Sequence, residues 1–131
     1  MRLGEEDDGL AETWHDLMSR YHRTTCALDR ALSTGHGITV SEFEVLQQLA
    51  RAPAVDGRVK MHALWDKVHL SQSALSRAVG RLEEEALVER FMCVEDRRSV
   101  WVRITEAGTA RFDEARPTHR AILRRQASLA G

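Results

Sequence analysis

The sequence has little of several features that define whole classes of protein. It contains two cysteines in 131 residues, Cys26 and Cys93, and no CxxC pair, so no disulfide framework is expected. No apolar run approaches the ~18 residues that a membrane span needs. The N-terminal stretch MRLGEEDDG is acidic and lacks the apolar core of a secretory signal. These absences predict a cytoplasmic protein with no membrane partner, in a reducing compartment.

Motifs that carry enzymatic or metal chemistry are also missing. The sequence has no glycine-rich phosphate loop, no nucleophile elbow and no HExxH or HxxxH pattern. Its histidine pairs, His15/His22 and His62/His69, are seven residues apart, which is too far for both members of a pair to hold one ion unaided. We therefore expect that the protein is not an enzyme and binds neither a cofactor nor a metal ion.

Charge is nearly balanced, and this bears on nucleic-acid binding. The formal net charge is −1, with 17 arginines and two lysines. DNA binding requires positive charge where the phosphates lie, rather than a positive total. Six acidic residues fall within the first sixteen positions, well away from the arginine-bearing helix described below. The charge is compatible with a DNA partner without demanding one.

Apolar residues at three- and four-residue steps predict a helix over residues 10–34, ended by Gly35 and Gly37. Its apolar residues are Leu10, Trp14, Leu17, Met18, Tyr21, Leu28 and Leu32. A stripe of this length on a small chain usually packs against a neighbour, so the helix is a candidate for dimerisation. A capping box at Ser41–Glu44 predicts a second helix ending near Arg51.

The segment 71–84 is the most informative part of the chain. A third helix is predicted over Met61–His69. Only Leu70 and Ser71 separate it from this segment, which leaves room for a tight turn alone, as in a helix-turn-helix. Ser71 is a good N-cap. The apolar positions Leu75, Ala78, Val79 and Leu82 have helical spacing. The opposite face carries small hydroxyls, arginines and Gly80. That glycine suits close approach either of a neighbouring helix or of DNA.

Recognition helices present their N-terminal half to the major groove, where glutamine binds adenine and arginine binds guanine. The residues that we expect to contact DNA from this helix are Gln72, Ser73, Ser76, Arg77 and Arg81. The strands expected after it, Leu87–Cys93 and Val100–Ile104, form a hairpin with Arg97 and Arg98 at its tip. A solvated arginine face and a polar tip kept for solubility are the alternatives.

A last helix is predicted to begin after Thr105, and Pro117 predicts a kink or a break within it.

The chain resembles the MarR family of bacterial transcriptional regulators. The resemblance rests on LSQSALSR at 70–77 with RLE at 81–83, on DRRS at 96–99, and on TEAG at 105–108. It implies a mainly α fold with a small β-hairpin wing (α+β). The resemblance implies a single domain over residues 1–131. Within it, residues 38–104 would form the winged helix-turn-helix. The dimerisation helices would span residues 10–34 and 105–131.

The resemblance also implies a function. Members of the family bind pseudo-palindromic operators in double-stranded DNA as homodimers, and many repress transcription until a small aromatic compound releases them. Family pattern gives Asp96 a supporting role, bracing a wing arginine. The candidate lining of a ligand pocket is Trp14, His15, Tyr21, His22 and Trp65. For Trp14 and Tyr21, a place in the core or at the dimer contact is the simpler interpretation.

Two other functions stay open at this stage. One is a winged-helix module whose partner is a protein. The other is a regulator that senses oxidants through a cysteine, as some MarR relatives do from the first helix. Cys26 lies further along that helix than their cysteine does, and a passive small apolar residue is the simpler explanation for Cys26 and Cys93 alike.

Overall fold

A computed structural model describes residues 3–52, 57–92 and 99–130. Five helices and three strands follow one another in the order α1 Leu3–His36, α2 Val40–Ala50, β1 Val59–Lys60, α3 Met61–Lys67, α4 Gln72–Glu84, β2 Val88–Met92, β3 Val100–Ile104 and α5 Glu106–Ala130. The strands form one antiparallel sheet in the order β1-β3-β2. The predicted fold class, mainly α with a small β wing, is confirmed. The short strand β1 was not predicted.

Helix α2 lies at the centre of the core. It contacts α1, α3, α4, α5 and strand β3. Its Phe43, Val45 and Leu46 are fully buried, and the Phe43 ring packs 5.3 Å from that of Phe112 on α5. Because α2 contacts every other helix, it fixes the position of α4 relative to the two long helices.

The N-terminus of α2 differs from the sequence prediction. The N-cap is Thr39, whose Oγ1 accepts from the Glu42 amide at 3.1 Å, while Glu42 Oε1 accepts from the Thr39 amide at 3.1 Å. The capping box therefore spans 39–42, and the prediction of 41–44 was wrong. Both 39–42 and 41–44 have the Ser/Thr-x-x-Glu spacing of a capping box. In the segment 39–42 the glutamate is Glu42, which is buried at 4% exposure.

Helix α1 is longer than predicted, because it begins at Leu3 and takes in the acidic N-terminal residues. It ends at His36, so Gly35, which was predicted to end the helix, lies within it; Gly37 follows with φ +68° and ends the helix as predicted. Only its second half packs on this chain: Leu28 and Leu32 are buried, whereas residues 4–18 are exposed throughout. Its end is tied to α5 by Arg111, whose Nη1 donates to the His36 carbonyl at 3.0 Å.

The sequence predicts a kink or a break at Pro117; helix α5 is continuous there, so the break was wrong. Proline lacks an N–H, and the carbonyl of Asp113 loses its helical partner. Asp113 and Pro117 are both exposed, so water can solvate that carbonyl, while the bonds of the neighbouring turns continue the helix. Helix α3 is also shorter than predicted and ends at Lys67 rather than His69.

The joint between α4, β2 and α5 is held by backbone groups. Helix α4 ends in a Schellman arrangement, with the Leu87 amide donating to the Leu82 carbonyl at 2.9 Å and Ala86 in the left-handed region at φ 61°. Thr105 then donates from Oγ1 to the Ala86 carbonyl at 2.8 Å and from its amide to the Leu87 carbonyl at 3.1 Å. The start of α5 is thereby attached to the end of α4.

No helix in the described ranges is long and apolar enough to cross a membrane.

Candidate nucleic-acid interface

Helices α3 and α4 form the helix-turn-helix that the sequence predicts. Ser71 is the N-cap of α4, and its Oγ accepts from the Ala74 amide at 3.1 Å. The turn before it is held by Trp65, whose indole Nε1 donates to the Leu70 carbonyl at 2.9 Å. Since the turn is fixed from both sides, the N-terminal half of α4 has a defined direction.

Helix α4 separates its two faces as its apolar spacing requires. Leu75, Val79 and Leu82 are at most 2% exposed and pack into the core. The polar face is open to solvent, and all the predicted contacts of this helix lie exposed along it: Gln72, Ser73, Ser76, Arg77 and Arg81. The structure thus brings these five residues together on one accessible surface.

Gly80 belongs to this helix, and its surroundings separate the two explanations that the sequence left open. A Cβ built on Gly80 would meet no atom of another segment within 4 Å in the described part of the chain. No neighbouring helix of this chain therefore requires a glycine at this position. Close approach of DNA at Gly80 stays a prediction.

The polar face borders the N-terminus of α2. Arg77 and Arg81 line a shallow groove together with Asp29, Thr39 and Ser41. Asp29 accepts from the Val40 amide through Oδ1 at 2.9 Å, so its carboxylate is engaged in positioning α2. The wing residues Asp96, Arg97 and Arg98 lie outside the described residues.

A separate cavity of about 440 Å³ lies between α1, α2, the α3–α4 turn and α5. Its polar lining includes Tyr21, Glu44, Gln47 and His119, and its apolar lining includes Leu28 and Leu123. Gln47 is 7% exposed, and its Oε1 has no hydrogen-bond partner in the described part of the chain. A buried acceptor without a partner is unusual in a folded protein.

His119 forms one wall of this cavity and is held on three sides. Its ring stacks 4.3 Å from that of Phe43, and its Nδ1 lies 2.6 Å from Arg120 Nη1. Because a guanidinium can only donate, Nδ1 accepts and Nε2 carries the proton. That proton faces Glu44, whose Oε1 lies 3.6 Å from Nε2. Sequence reasoning missed this residue, although it falls on the apolar stripe of α5 with Phe112 and Ala115.

The structure does not bring the five predicted pocket residues together. Tyr21 lines the cavity, but Trp14, His15 and His22 lie exposed on α1 away from its lining. Trp65 has the structural role described above and borders another groove, beside Gln72 and Ser76. Glu44, Gln47 and His119 are the polar lining that sequence reasoning missed.

The structure describes one of the two cysteines. Cys26 is free and exposed, with Sγ 3.6 Å from His22 Nε2 one turn earlier. Cys93 lies outside the described residues. In the described ranges, no three His, Cys, Asp or Glu side chains cluster as a metal site.

Residues 10–21 of α1 present a long apolar face that the described part of this chain does not cover. Its exposed residues are Leu10, Trp14, Leu17, Met18 and Tyr21, with Leu10 at 69% and Trp14 at 61% exposed. We call these five residues the apolar face of α1. An exposed apolar patch of this kind marks an interaction surface.

Comparison with known proteins agrees with this architecture. Residues 38–100 match the sequence model of the MarR family. The HTH-type transcriptional regulator YwhA of Bacillus subtilis is 32% identical over 70% of this chain and 62% of its own length. The HTH-type transcriptional repressor MdtR of the same organism is 27% identical over 70% of this chain and 57% of its own. This chain therefore spans about three fifths of the length of these relatives.

Among solved structures, the MarR-family regulator Sco3205 of Streptomyces coelicolor, crystallised with DNA, superposes with a TM-score of 0.79. It is 25% identical, and the match covers 96% of this chain and 75% of Sco3205. The regulator AbsC of the same organism gives a TM-score of 0.75 at 29% identity, over 87% of this chain and 75% of AbsC. The winged helix-turn-helix, the family match and these relatives together identify residues 38–100 as a MarR-family segment.

Proposed function

We propose that this chain is a dimeric, sequence-specific DNA-binding repressor whose release from its operator is controlled by a small aromatic ligand. The observation that carries the proposal is the polar face of α4, which is fixed by the Ser71 cap and by Trp65, and which exposes five side chains able to donate hydrogen bonds. The relatives named as regulators and a repressor support the same role.

The readout follows from the order of residues along α4. Gln72 and Ser73 lie in its first turn, and Arg77 lies one turn further on the same exposed face. Arginine makes a bidentate contact with guanine O6 and N7, and glutamine with adenine N6 and N7. We assign base reading to Gln72 and Arg77, and phosphate or base contact to Ser73, Ser76 and Arg81. Arg97 and Arg98 would reach the adjacent minor groove from the wing.

A second copy of the chain is the partner that the apolar face of α1 suits. Two such faces bury large apolar side chains against each other, and each side chain contributes roughly 1.5–3 kcal/mol when fully buried. The dimer would present two α4 helices to one pseudo-palindromic operator, with half-sites about 34–36 Å apart.

The cavity between α1, α2 and α5 is the site that we assign to the ligand. Its volume of about 440 Å³ is in the usual range for small-molecule sites. A single-ring ligand would pack between Leu28 and Leu123 and donate a hydrogen bond from a hydroxyl group to Gln47 Oε1. Since the cavity is bounded by α1, α5 and the turn before α4, its occupation would change how α4 sits relative to the dimer helices.

Fluorescence anisotropy of the purified chain on DNA upstream of its own gene, titrated in salt against scrambled DNA, tests the proposal. We expect specific, salt-sensitive binding with two chains per site. Arg77→Ala should weaken specific binding by roughly 1–3 kcal/mol and relax the preference at one base pair. The matched variant Arg77→Lys keeps the charge but loses the bidentate geometry, so it should retain binding to scrambled DNA. Equal losses on every DNA sequence would contradict base reading by Arg77.

A further inference from the structure

Two side chains of α2 give the cavity between α1, α2, the α3–α4 turn and α5 a pair of neighbouring hydrogen-bond acceptors. Gln47 Nε2 donates to Glu44 Oε2 at 3.5 Å, which directs Gln47 Oε1 the other way. Turning the amide over would set two oxygens against each other. Gln47 Oε1 is buried without a partner among the described residues, and both side chains line the cavity. The cavity therefore offers an amide oxygen and a carboxylate from one face of α2, one helical turn apart.

Several donors of the cavity lining are already engaged within the chain. Thr24 and Thr25 donate from their hydroxyl groups to α1 carbonyls one turn earlier, at 2.8 and 3.0 Å. The Nε2 proton of His119 faces Glu44 Oε1 at 3.6 Å. A ligand that brings its own donors would meet open acceptors on α2, whereas a ligand that needs donors would compete with these internal contacts.

The charges of the lining favour a cation beside α2. Glu44 is the single acid among the described residues that line the cavity. The basic residues Lys67 and His69 come from the end of α3 and the turn after it, and both are exposed, so water hydrates them. An anion placed against α2 would lie next to the Glu44 carboxylate and be repelled, whereas a cation there would form an ion pair with it.

We propose that the ligand of this cavity is a hydroxylated aromatic amine, whose ammonium group binds Glu44 while its hydroxyl group donates to Gln47 Oε1. This inference rests on the proposed function, because it names the chemical class of the ligand assigned to the same cavity. The apolar walls at Leu28 and Leu123 pack against the ring of an amine or an acid equally well. Charge, rather than shape, therefore decides between an aromatic amine and an aromatic acid of the same size.

The test uses two compounds that share a ring and a hydroxyl group and differ in charge at neutral pH: meta-hydroxybenzylamine, a cation, and meta-hydroxybenzoic acid, an anion. Isothermal titration calorimetry of the full chain without DNA measures the affinity for each. We expect wild type to bind the amine about tenfold more tightly than the acid. Glu44→Gln keeps the size of the side chain and removes its charge, so it should weaken amine binding about tenfold and abolish the preference. Glu114→Gln removes an exposed carboxylate of α5 outside the lining and is the matched control, with both affinities unchanged.

Gln47→Leu separates the hydroxyl contact from the charge, since it should weaken the binding of both compounds and keep the preference for the amine. Three results would overturn the inference while leaving DNA binding by the chain intact: equal or tighter binding of the acid to wild type, unchanged amine affinity in Glu44→Gln, or binding of neither compound. Failure of wild type to prefer the operator over scrambled duplex would instead contradict the proposed function. Circular dichroism checks that Glu44→Gln retains its fold.

Discussion

The Nε atom of Arg81 lies 4.0 Å from Oε2 of Glu42, and this pair joins the recognition helix to the start of α2. The Arg81 side chain is 69% exposed, whereas that of Glu42 is 5% exposed. The other oxygen of the same carboxylate closes the capping box on the Thr39 amide. The buried carboxylate of Glu42 thus caps the N-terminus of α2 and also lies beside Arg81, a residue predicted to contact DNA.

Glu42→Ala should lower the free energy of unfolding by about 1 kcal/mol, because it leaves the Thr39 amide without its side-chain acceptor. Glu42→Gln is the matched control, since its amide oxygen can still accept from Thr39 while the negative charge beside Arg81 is gone. Urea denaturation of both variants measures the effect. Equal destabilisation by alanine and glutamine would mean that the charge, rather than the cap, provides the stability.

Glycine-to-alanine changes at two helical positions should have opposite effects. A Cβ at Gly108 would overlap the Leu87 carbonyl oxygen and lie 2.8 Å from Ile104 Cγ1, so Gly108→Ala should cost roughly 1–3 kcal/mol or more. Gly80→Ala meets open space and should add up to about 1 kcal/mol of stability, but it should weaken operator binding. Thermal unfolding measures the stability of both variants, and fluorescence anisotropy measures the operator affinity of Gly80→Ala. Unchanged DNA affinity in Gly80→Ala would refute close approach of DNA at this residue.

Trp14→Glu should convert the dimer to monomer, because it places a charge in the middle of the apolar face of α1. His15→Glu introduces the same charge on a neighbouring exposed residue outside that face and should leave the dimer intact. Sedimentation equilibrium across a range of concentrations distinguishes the two. A dimer of unchanged affinity in Trp14→Glu would show that the chain associates through another surface.

Gln47→Leu should leave the unliganded protein as stable as wild type or slightly more stable, because it removes a buried acceptor that has no partner among the described residues. The same variant should lose the thermal stabilisation that we expect a hydroxylated single-ring aromatic ligand to give to wild type. A panel of such compounds measured by thermal shift, with Gln48→Leu as the control, tests this. Equal stabilisation of Gln47→Leu and wild type by a ligand would place that ligand elsewhere.

Much of the fold follows from the spacing of apolar residues and from the residue types at helix ends. The burial of Leu75, Val79 and Leu82, the cap at Ser71 and the stop at Gly37 are all local consequences of residue type and period. The cap of α2 was predicted at the wrong residue because 39–42 and 41–44 share one spacing, and only the packing of Glu42 against the rest of the chain distinguishes them. Pro117 was expected to kink or break α5, yet the helix continues, and the exposed position of Pro117 makes the lost hydrogen bond tolerable.

The candidate DNA contacts of α4 were predictable for the same reason, since all of them belong to a single helix. The cavity was not predictable in this way. Tyr21, Gln47 and His119 come from three helices, and their meeting depends on how α1 and α5 pack against α2. A pattern within one segment carries no information on that packing.

The attachment of Thr105 to Ala86 and Leu87 has a mechanical consequence. Thr105, just before α5, is hydrogen-bonded to Ala86 and Leu87, just after α4, and Gly108 packs against the Leu87 carbonyl, so the end of α4 and the start of α5 are attached at residues 86–87. In a dimer joined through its long helices, tilting α5 by a few degrees would swing the far, N-terminal end of α4. On the proposed function, the N-terminal end of α4, which would read bases, lies furthest from this attachment, so the spacing of the two half-sites would depend on the angle of α5.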